Sequence, residues 1–231
     1  MKALFTVLLG LWSLSALGAE YESTLLVQTG KLRESDLIIR TISDLESNKI
    51  CLAFYVRTQG TSAQITCYDA TGGFRSNINQ VAFFKEAKLI VRKVKDYENH
   101  VSCLVAYVST PGTAPAIDCY QSAKSSDDSI VRGGHLREGD LEIYRVIEPD
   151  SSETCLIAYV RSGGTSPSLI CYPTQGLPGD GNLVQTSRLR EGDLVVRKVV
   201  DQHNNKTCLI SYVSTLGTSP HFHCFDEQVQ R

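Results

Sequence analysis

The chain has 231 residues, with 23 Lys or Arg and 25 Asp or Glu, and its formal net charge is −2 at pH 7. This near-balance of charge argues against a nucleic-acid partner, which would favour a basic face. No stretch after residue 19 approaches the roughly twenty apolar residues of a membrane helix, so the sequence predicts no membrane span.

The first 19 residues have the pattern of a secretory signal peptide. Lys2 precedes an apolar run from Ala3 to Leu17, and the small residues Gly18 and Ala19 follow it. Such a segment is removed on export. We therefore predict an exported protein, periplasmic or extracellular, in a compartment where disulfides persist.

After the signal, one unit of about 52 residues recurs four times. Its first cysteine appears at Cys51, Cys103, Cys155 and Cys208, at spacings of 52, 52 and 53 residues. A fixed period in this range indicates a repeat architecture. We place the repeats at residues 20–72, 73–124, 125–176 and 177–231.

Each unit predicts four short antiparallel strands. In unit 1 the first strand covers Leu26–Thr29, a charged turn follows at Leu32–Asp36, and the second strand begins at Leu37. The third and fourth strands form a hairpin from Cys51 to Cys67, with Gly60 in its turn, where a short loop favours positive φ. Unit 2 is degenerate in its first strand, around residues 79–84. The sequence shows no helical period outside the signal.

The cysteine spacing within each hairpin predicts a disulfide. A hairpin centred on Gln59 places Cys51 opposite Cys67, where Cβ atoms lie about 4.5–5.5 Å apart. A disulfide takes Cβ atoms about 3.5–4.5 Å apart, so a small adjustment closes the bond. Zinc sites usually show cysteine pairs two to four residues apart, and this chain has none. We predict four bridges and no metal site: Cys51–Cys67, Cys103–Cys119, Cys155–Cys171 and Cys208–Cys224.

The third strand is apolar on both faces. In unit 1, Leu52 and Phe54 lie on one face, and Ala53 and Tyr55 lie on the other. A strand covered on both faces belongs inside a stack of sheets. We therefore predict an all-β fold of four tandem four-stranded antiparallel units, closed into a four-bladed, propeller-like ring. The alternative is two eight-stranded barrel or sandwich domains, each made by a pair of units.

A finer pattern alternates along the chain. Units 1 and 3 share Tyr-Val-Arg before the hairpin turn, ending at Arg57 and Arg161, whereas units 2 and 4 share Tyr-Val-Ser-Thr. We infer that an ancestral pair of units was duplicated.

The second strands supply the candidate ligand-binding residues. Arg40, Arg92 and Arg197 occupy equivalent positions, where unit 3 has Tyr144. An arginine on an apolar strand face needs a partner or a water-filled space. One interpretation pairs each arginine with a carboxylate of the charged turns, at Glu34, Glu86 or Glu191. The other aims the arginines at a shared channel that binds an anion or an acidic sugar through charge-assisted hydrogen bonds.

The sequence offers no catalytic motif and no cofactor motif. His221 and His223 share a strand face, but no third metal ligand is evident near them. The recurring tyrosines are typical of core packing. We predict an exported, non-catalytic binding or scaffold module that recognises a glycan, an envelope component or a protein. The alternatives are a secreted enzyme inhibitor that presents hairpin turns such as Ser109–Thr113, and a hydrolase whose site lies at a repeat junction.

Overall fold

A computed structural model describes residues 25–75, 77–122, 128–149, 151–175 and 182–226. The predicted signal at residues 1–19 lies outside this part of the chain. The described residues form sixteen strands and contain no helix long and apolar enough to span a membrane. The strands are β1 Leu26–Glu34, β2 Leu37–Asp44, β3 Lys49–Val56, β4 Gln64–Asp69, β5 Ile78–Glu86, β6 Leu89–Asp96, β7 Val101–Val108, β8 Ala116–Gln121, β9 Val131–Glu138, β10 Leu141–Glu148, β11 Glu153–Val160, β12 Ser168–Pro173, β13 Leu183–Glu191, β14 Leu194–Asp201, β15 Lys206–Val213 and β16 His221–Asp226.

The strands form four separate antiparallel sheets, and each sheet falls within one predicted unit. Sheet 1 contains β1–β4, sheet 2 contains β5–β8, sheet 3 contains β9–β12 and sheet 4 contains β13–β16, with neighbouring strands adjacent in sequence. The predicted all-β fold of four-stranded antiparallel units is confirmed. Unit 2 does have a first strand, and β5 at Ile78–Glu86 has the same nine-residue length as β1.

The four predicted disulfides are present. Cys51 pairs directly with Cys67 across β3 and β4, and the same register recurs in the other three hairpins. The bridges are Cys51–Cys67, Cys103–Cys119, Cys155–Cys171 and Cys208–Cys224. Four such bonds indicate an oxidising, exported environment.

Each sheet has two faces that differ in composition. The face that carries the disulfide is called the cysteine face here, and in sheet 1 it also carries Ala53 and Tyr55. The opposite face is called the leucine face, and in sheet 1 it carries Leu37, Leu52 and Phe54. The alternation of side chains along a strand places these two sets on opposite sides.

The sheets stack in chain order through three hydrophobic clusters. Each cluster joins the leucine face of one sheet to the cysteine face of the next, and the clusters lie between sheets 1 and 2, sheets 2 and 3, and sheets 3 and 4. Strands β6, β7 and β10 are buried along their whole length because they belong to sheets with neighbours on both sides. In sheet 1, by contrast, β3 alternates between buried and half-buried residues.

The predicted closed ring is not confirmed. Within the described part of the chain, no hydrophobic cluster joins sheet 4 to sheet 1. The two-domain alternative also lacks support, because the central cluster packs units 2 and 3 on each other. What is observed is a stack of four sheets with two outer faces.

The hairpin turns form a glycine ladder along the stack. Gly60, Gly112, Gly164 and Gly217 all have positive φ, from 74° to 81°. A Cβ atom on Gly60 would lie 3.6 Å from the Cα of Gly112. The backbones are close enough for Gly112 N to donate to Gln59 O at 2.9 Å and for Gly217 N to donate to Gly163 O at 3.1 Å. Glycine therefore serves both the turn conformation and the approach of neighbouring units.

Two ion pairs lie fully buried between sheets. Lys93 Nζ lies 2.7 Å from Glu148 Oε2 across sheets 2 and 3, and Arg145 Nη1 lies 2.8 Å from Asp201 Oδ1 across sheets 3 and 4. The acidic residue ends the second strand of its sheet in both cases. Asp201 also accepts hydrogen bonds from the Tyr172 hydroxyl at 2.8 Å and from Asn204 Nδ2 at 2.7 Å.

Removal of the cation from a buried pair should destabilise the fold strongly. We expect Lys93→Met to lower the free energy of unfolding by about 3–5 kcal/mol, because it removes the cation that lies beside the buried Glu148 carboxylate. The matched control is Lys49→Met, since Lys49 lies at the same 2.7 Å distance from Asp69 but the two side chains are 42% and 70% exposed. That change should cost about 0–1 kcal/mol. Denaturant unfolding of both variants measures the difference, and equal losses would contradict the prediction.

Candidate functional site

Arg92 lies in a hydrogen-bonded network between sheets 1 and 2. Its Nε donates to the Tyr107 hydroxyl at 3.0 Å, and this hydroxyl donates to Asp36 Oδ1 at 2.7 Å. Its Nη1 donates to Gln80 Oε1 in the neighbouring strand β5. Asp36 belongs to the turn of the preceding unit, so the network joins two units.

Arg197 repeats this arrangement between sheets 3 and 4. Its Nε donates to the Tyr212 hydroxyl at 2.9 Å, and Tyr212 donates to Asp140 Oδ1 at 2.7 Å. Arg197 Nη2 lies 3.5 Å from the same Asp140 oxygen, and Nη1 donates to Gln185 Oε1 at 2.6 Å. The carboxylate partner is thus an aspartate of the preceding unit, not the glutamates considered from the sequence.

Arg40 belongs to sheet 1, and among the described residues no sheet comes before it. Its Nη1 donates to Gln28 Oε1 at 2.6 Å, and the side chain is half-exposed on the cysteine face. The structure therefore places Arg40, Arg92 and Arg197 in three different sheets. Each arginine is hydrogen-bonded to different partners, and the three side chains do not meet in one channel.

The central interface, between sheets 2 and 3, reverses the charges of this network. The turn of unit 2 has Lys88 where units 1 and 3 have aspartate, and sheet 3 has Tyr144 where its neighbours have arginine. Glu142 replaces the isoleucine or valine found at this position in the other units. The basic residue is now on the preceding turn, and the acidic residue is on the second strand.

Glu142 is the centre of this cluster. Its Oε2 accepts hydrogen bonds from the hydroxyls of Tyr144 at 2.9 Å and Tyr159 at 2.5 Å. Its Oε1 lies 3.3 Å from Arg161 Nε and 3.8 Å from Arg137 Nε. The Glu142 side chain is only 8% exposed, whereas those of Arg161 and Arg137 are 43% and 55% exposed. A buried carboxylate is thus covered by two arginines that remain accessible from outside.

His135 completes one side of the cluster. Its ring stacks on the Tyr144 ring with centroids 4.4 Å apart, and its Nε2 lies 4.0 Å from Glu142 Oε2. Arg132 lies on the other side, with its guanidinium carbon 5.8 Å from the centroid of the Tyr144 ring and its Nη1 2.7 Å from Glu86. Tyr144 is therefore enclosed by its neighbours and is only 2% exposed.

A pocket of about 240 Å³ opens beside Glu142 at this interface. Its charged lining comes from Lys88, Arg137, Arg161 and Glu142, and Thr110 and Ser162 also line it. Three basic side chains therefore surround one carboxylate. Such a lining favours a ligand that carries negative charge, and guanidinium groups bind carboxylate and sulfate oxygens in paired geometry.

Local backbone structure explains where these side chains lie. Lys88 directly follows Ala87, whose φ of 51° makes the tight turn between β5 and β6. Arg161 is the first residue after β11, and its N–H donates to Asp140 O at 2.8 Å. Arg137 and Glu142 lie opposite each other in the ladder between β9 and β10. Turn and strand ends thus bring the charged groups of two units to one place.

The tyrosines around the cluster remain protonated donors. Burial raises the pKa of the Tyr159 phenol, and its hydrogen bond to Glu142 raises this pKa further. Burial is also the main reason why the pKa of Tyr144 is raised, followed by its hydrogen bond to the same carboxylate. Both hydroxyls therefore keep their protons and fix the orientation of Glu142.

Sequence reasoning identified Tyr144 as a position of interest but missed the carboxylate beside it. Alignment of the four units could have revealed Glu142, because the other three units have an apolar residue at this position. Two of the other recurring tyrosines make structural hydrogen bonds: Tyr68 donates to Asp96 at 2.7 Å and Tyr172 donates to Asp201. His221 and His223 are exposed, and the described residues contain no group of three metal-binding side chains.

A second, shallower groove of about 430 Å³ crosses all four units beside the glycine ladder. Its lining repeats small residues from unit to unit, at Ser62, Ala114, Ser166 and Ser219. Ser166 Oγ accepts a hydrogen bond from Ala114 N at 2.7 Å, which links sheets 2 and 3 here. The groove carries none of the charged side chains of the central cluster.

The fold and the central cluster together define an all-β repeat protein with a polar site that departs from the repeat pattern. Comparison with protein-family models finds no match, and comparison with curated proteins finds none either. The residues themselves are therefore the basis for inferring a function.

Alkaline pH should destabilise the fold through its buried tyrosines. Burial is the largest cause that raises the pKa of six phenols above the ordinary value of 10.0, namely Tyr68, Tyr107, Tyr144, Tyr159, Tyr172 and Tyr212. Below pH 10 these tyrosines are protonated in both the folded and the unfolded chain, so their contribution is fully present. Above pH 10 the unfolded chain loses protons that the folded chain keeps, and stability falls as pH rises.

Thermal unfolding midpoints across the alkaline range measure this effect. Tyrosinate absorbance supplies the control, because the folded protein should titrate at higher pH than the unfolded protein in denaturant. Coincident titration curves in the two states would refute the prediction.

Proposed function

We propose that the protein is an exported, non-catalytic binding module whose ligand is an acidic glycan. The pocket at the central interface supports this proposal, because Lys88, Arg137 and Arg161 surround it. The carboxylate or sulfate group of such a sugar contacts the guanidinium groups of Arg137 and Arg161.

The observation that carries the proposal is the meeting of two accessible arginines at Glu142 beside the pocket. In the outer interfaces the equivalent network is closed, since Arg92 and Arg197 are 6% and 2% exposed. In the central interface Arg137 and Arg161 are 55% and 43% exposed, and both lie beside Glu142 at the pocket. Accessible cations beside a pocket are what a site for an anionic ligand requires.

Hydrolysis at the same pocket is a second candidate. Glu142 supports it, as a buried carboxylate that two phenols hold in one orientation. Glycoside hydrolases with the common mechanism use two carboxyl groups. Among the described residues that line this pocket, Glu142 is the single carboxylate. Binding is therefore the function that the geometry supports better.

Binding to an array of acidic and neutral oligosaccharides tests the proposal. We expect uronic-acid or sulfated sugars to bind and neutral sugars of the same size not to bind. Arg161→Ala should weaken binding at least about tenfold, because one charge-assisted hydrogen bond contributes about 1.5–3 kcal/mol. Added salt should weaken the binding further, because the Arg161 and Arg137 side chains are exposed to the solvent.

Arg57→Ala is the matched control, since Arg57 is the exposed equivalent of Arg161 in unit 1. It should leave the affinity unchanged. Equal losses in the two variants, or equal binding of neutral sugars, would refute the proposed site. Release of a reducing end from a bound sugar that Glu142→Gln abolishes would establish the hydrolase instead.

A further inference from the structure

The two ends of the stack present the two halves of its internal interface. Inside the stack, every leucine face packs on the cysteine face of the next sheet. Among the described residues, no sheet packs on the leucine face of sheet 4 or on the cysteine face of sheet 1. These two surfaces are called the sheet 4 end and the sheet 1 end below.

The sheet 4 end keeps the apolar residues of an interior face. Leu194, Leu209 and Val213 are 44%, 39% and 39% exposed. Their equivalents in the first three sheets are the same residue types and are at most 3% exposed: Leu37, Leu89 and Leu141; Leu52, Leu104 and Leu156; Val56, Val108 and Val160. Terminal units of repeat proteins normally carry a polar outer face that keeps them soluble. An apolar end of this kind marks an interaction surface.

The two ends carry the same polar partners that meet in the network of sheets 1 and 2: an aspartate at the sheet 4 end, and an arginine with a tyrosine at the sheet 1 end. Asp193 lies in the turn of unit 4, at the position of Asp36 and Asp140. Arg40 and Tyr55 lie on the sheet 1 end, at the positions equivalent to Arg92 and Tyr107. In sheet 2, Arg92 donates to the Tyr107 hydroxyl, which donates to Asp36. Packing of the sheet 4 end on the sheet 1 end of another copy would bring Asp193 to Arg40 and Tyr55.

A second charged pair follows the same rule. Lys198 lies on the leucine face of sheet 4, at the position from which Lys93 and Arg145 contact the following sheet. Asp44 ends β2 on the cysteine face of sheet 1, at the position of their partners Glu148 and Asp201. Within the described residues, neither Lys198 nor Asp44 makes an ion pair.

The glycine ladder has two ends as well. Gly217 is its last member and Gly60 its first, and Leu216 beside Gly217 is 80% exposed. Internal steps of the ladder use a glycine N–H and the carbonyl group of the preceding turn. A neighbouring copy could extend the ladder by the same step, from Gly60 N to Leu216 O.

We propose that the protein assembles head to tail with further copies of itself, the sheet 4 end of one copy packing on the sheet 1 end of the next. Four strands about 4.8 Å apart and about 26 Å long give a contact of about 500 Å² on each copy. The total of about 1,000 Å² reaches the lower range of specific protein interfaces. Because the two contacting surfaces differ, the assembly continues as a filament or closes as a ring of copies.

The first measurement is the mass of the purified protein by light scattering over a wide range of concentration. We expect species larger than one chain that grow with concentration. Leu209→Lys, at the sheet 4 end, and Arg40→Asp, at the sheet 1 end, should each reduce the mass to that of a single chain. Glu98→Lys is the control, since it changes the charge of an exposed turn of sheet 2, away from both ends.

Mixing the two blocked variants tests the head-to-tail geometry directly. Leu209→Lys keeps an intact sheet 1 end, and Arg40→Asp keeps an intact sheet 4 end. Their mixture should therefore form a one-to-one dimer and nothing larger. A symmetrical contact between identical ends would not give this result and would overturn the proposal.

Exchange of the two opposite charges between the ends tests the same contact in one double variant. Arg40→Asp combined with Asp193→Arg in one chain should restore assembly, because the two charges exchange places. A wild-type protein that stays a single chain at all concentrations would overturn the proposal. Both blocked variants should still bind the acidic sugar, since its pocket lies at the central interface, so failure of assembly and failure of the proposed function are distinguishable.

Discussion

The structure depends on one contact that is used three times: the leucine face of a sheet packs on the cysteine face of the next. A single unit of about 52 residues buries little apolar surface of its own and is marginal by itself. In each hairpin the disulfide links the third and fourth strands, as Cys51 and Cys67 do in sheet 1, and the linked strands form part of the cysteine face. Stacking then covers the apolar residues that one unit leaves exposed, and each interior sheet gains neighbours on both sides.

Charged groups help to specify which sheet packs on which. The interfaces of sheets 1 and 2 and of sheets 3 and 4 share the same arginine, tyrosine and aspartate network, as a duplicated pair of units predicts. The central interface has the reverse arrangement, with Lys88 before it and Glu142 within it. Sheet 1 packed directly on sheet 3 would bring Asp36 towards Glu142, and sheet 2 packed on sheet 4 would bring Lys88 towards Arg197. Like charges would oppose both errors, so the reversal helps to specify the order of the stack.

The same reversal creates the candidate site. An arginine at position 144 would lie within the interface, as Arg92 and Arg197 do. Tyr144 instead donates its hydroxyl to Glu142, and the positive charge comes from Arg137 and Arg161 at the rim. The charge reversal that favours the observed order of the units thus also accompanies an accessible basic pocket. The two outer faces follow from the repeat, because a stack in which each leucine face meets the next cysteine face ends in one unmatched face of each kind.

The sequence alone determined the four units, their strand order and their disulfides. A period of about 52 residues, alternating apolar residues and the register of Cys51 with Cys67 are local properties that need no tertiary information. The closed ring could not be predicted from local patterns. Apolar residues on both faces of a strand require neighbouring sheets, but they are compatible with an open stack as well as with a closed ring. The site could be predicted only in part: Tyr144 departs from a visible pattern, whereas the meeting of Lys88 and Arg137 with Glu142 depends on how sheets 2 and 3 pack. Only the tertiary structure decided this, since the charges that meet there come from different units, and their partners are set by stacking and not by position in the chain.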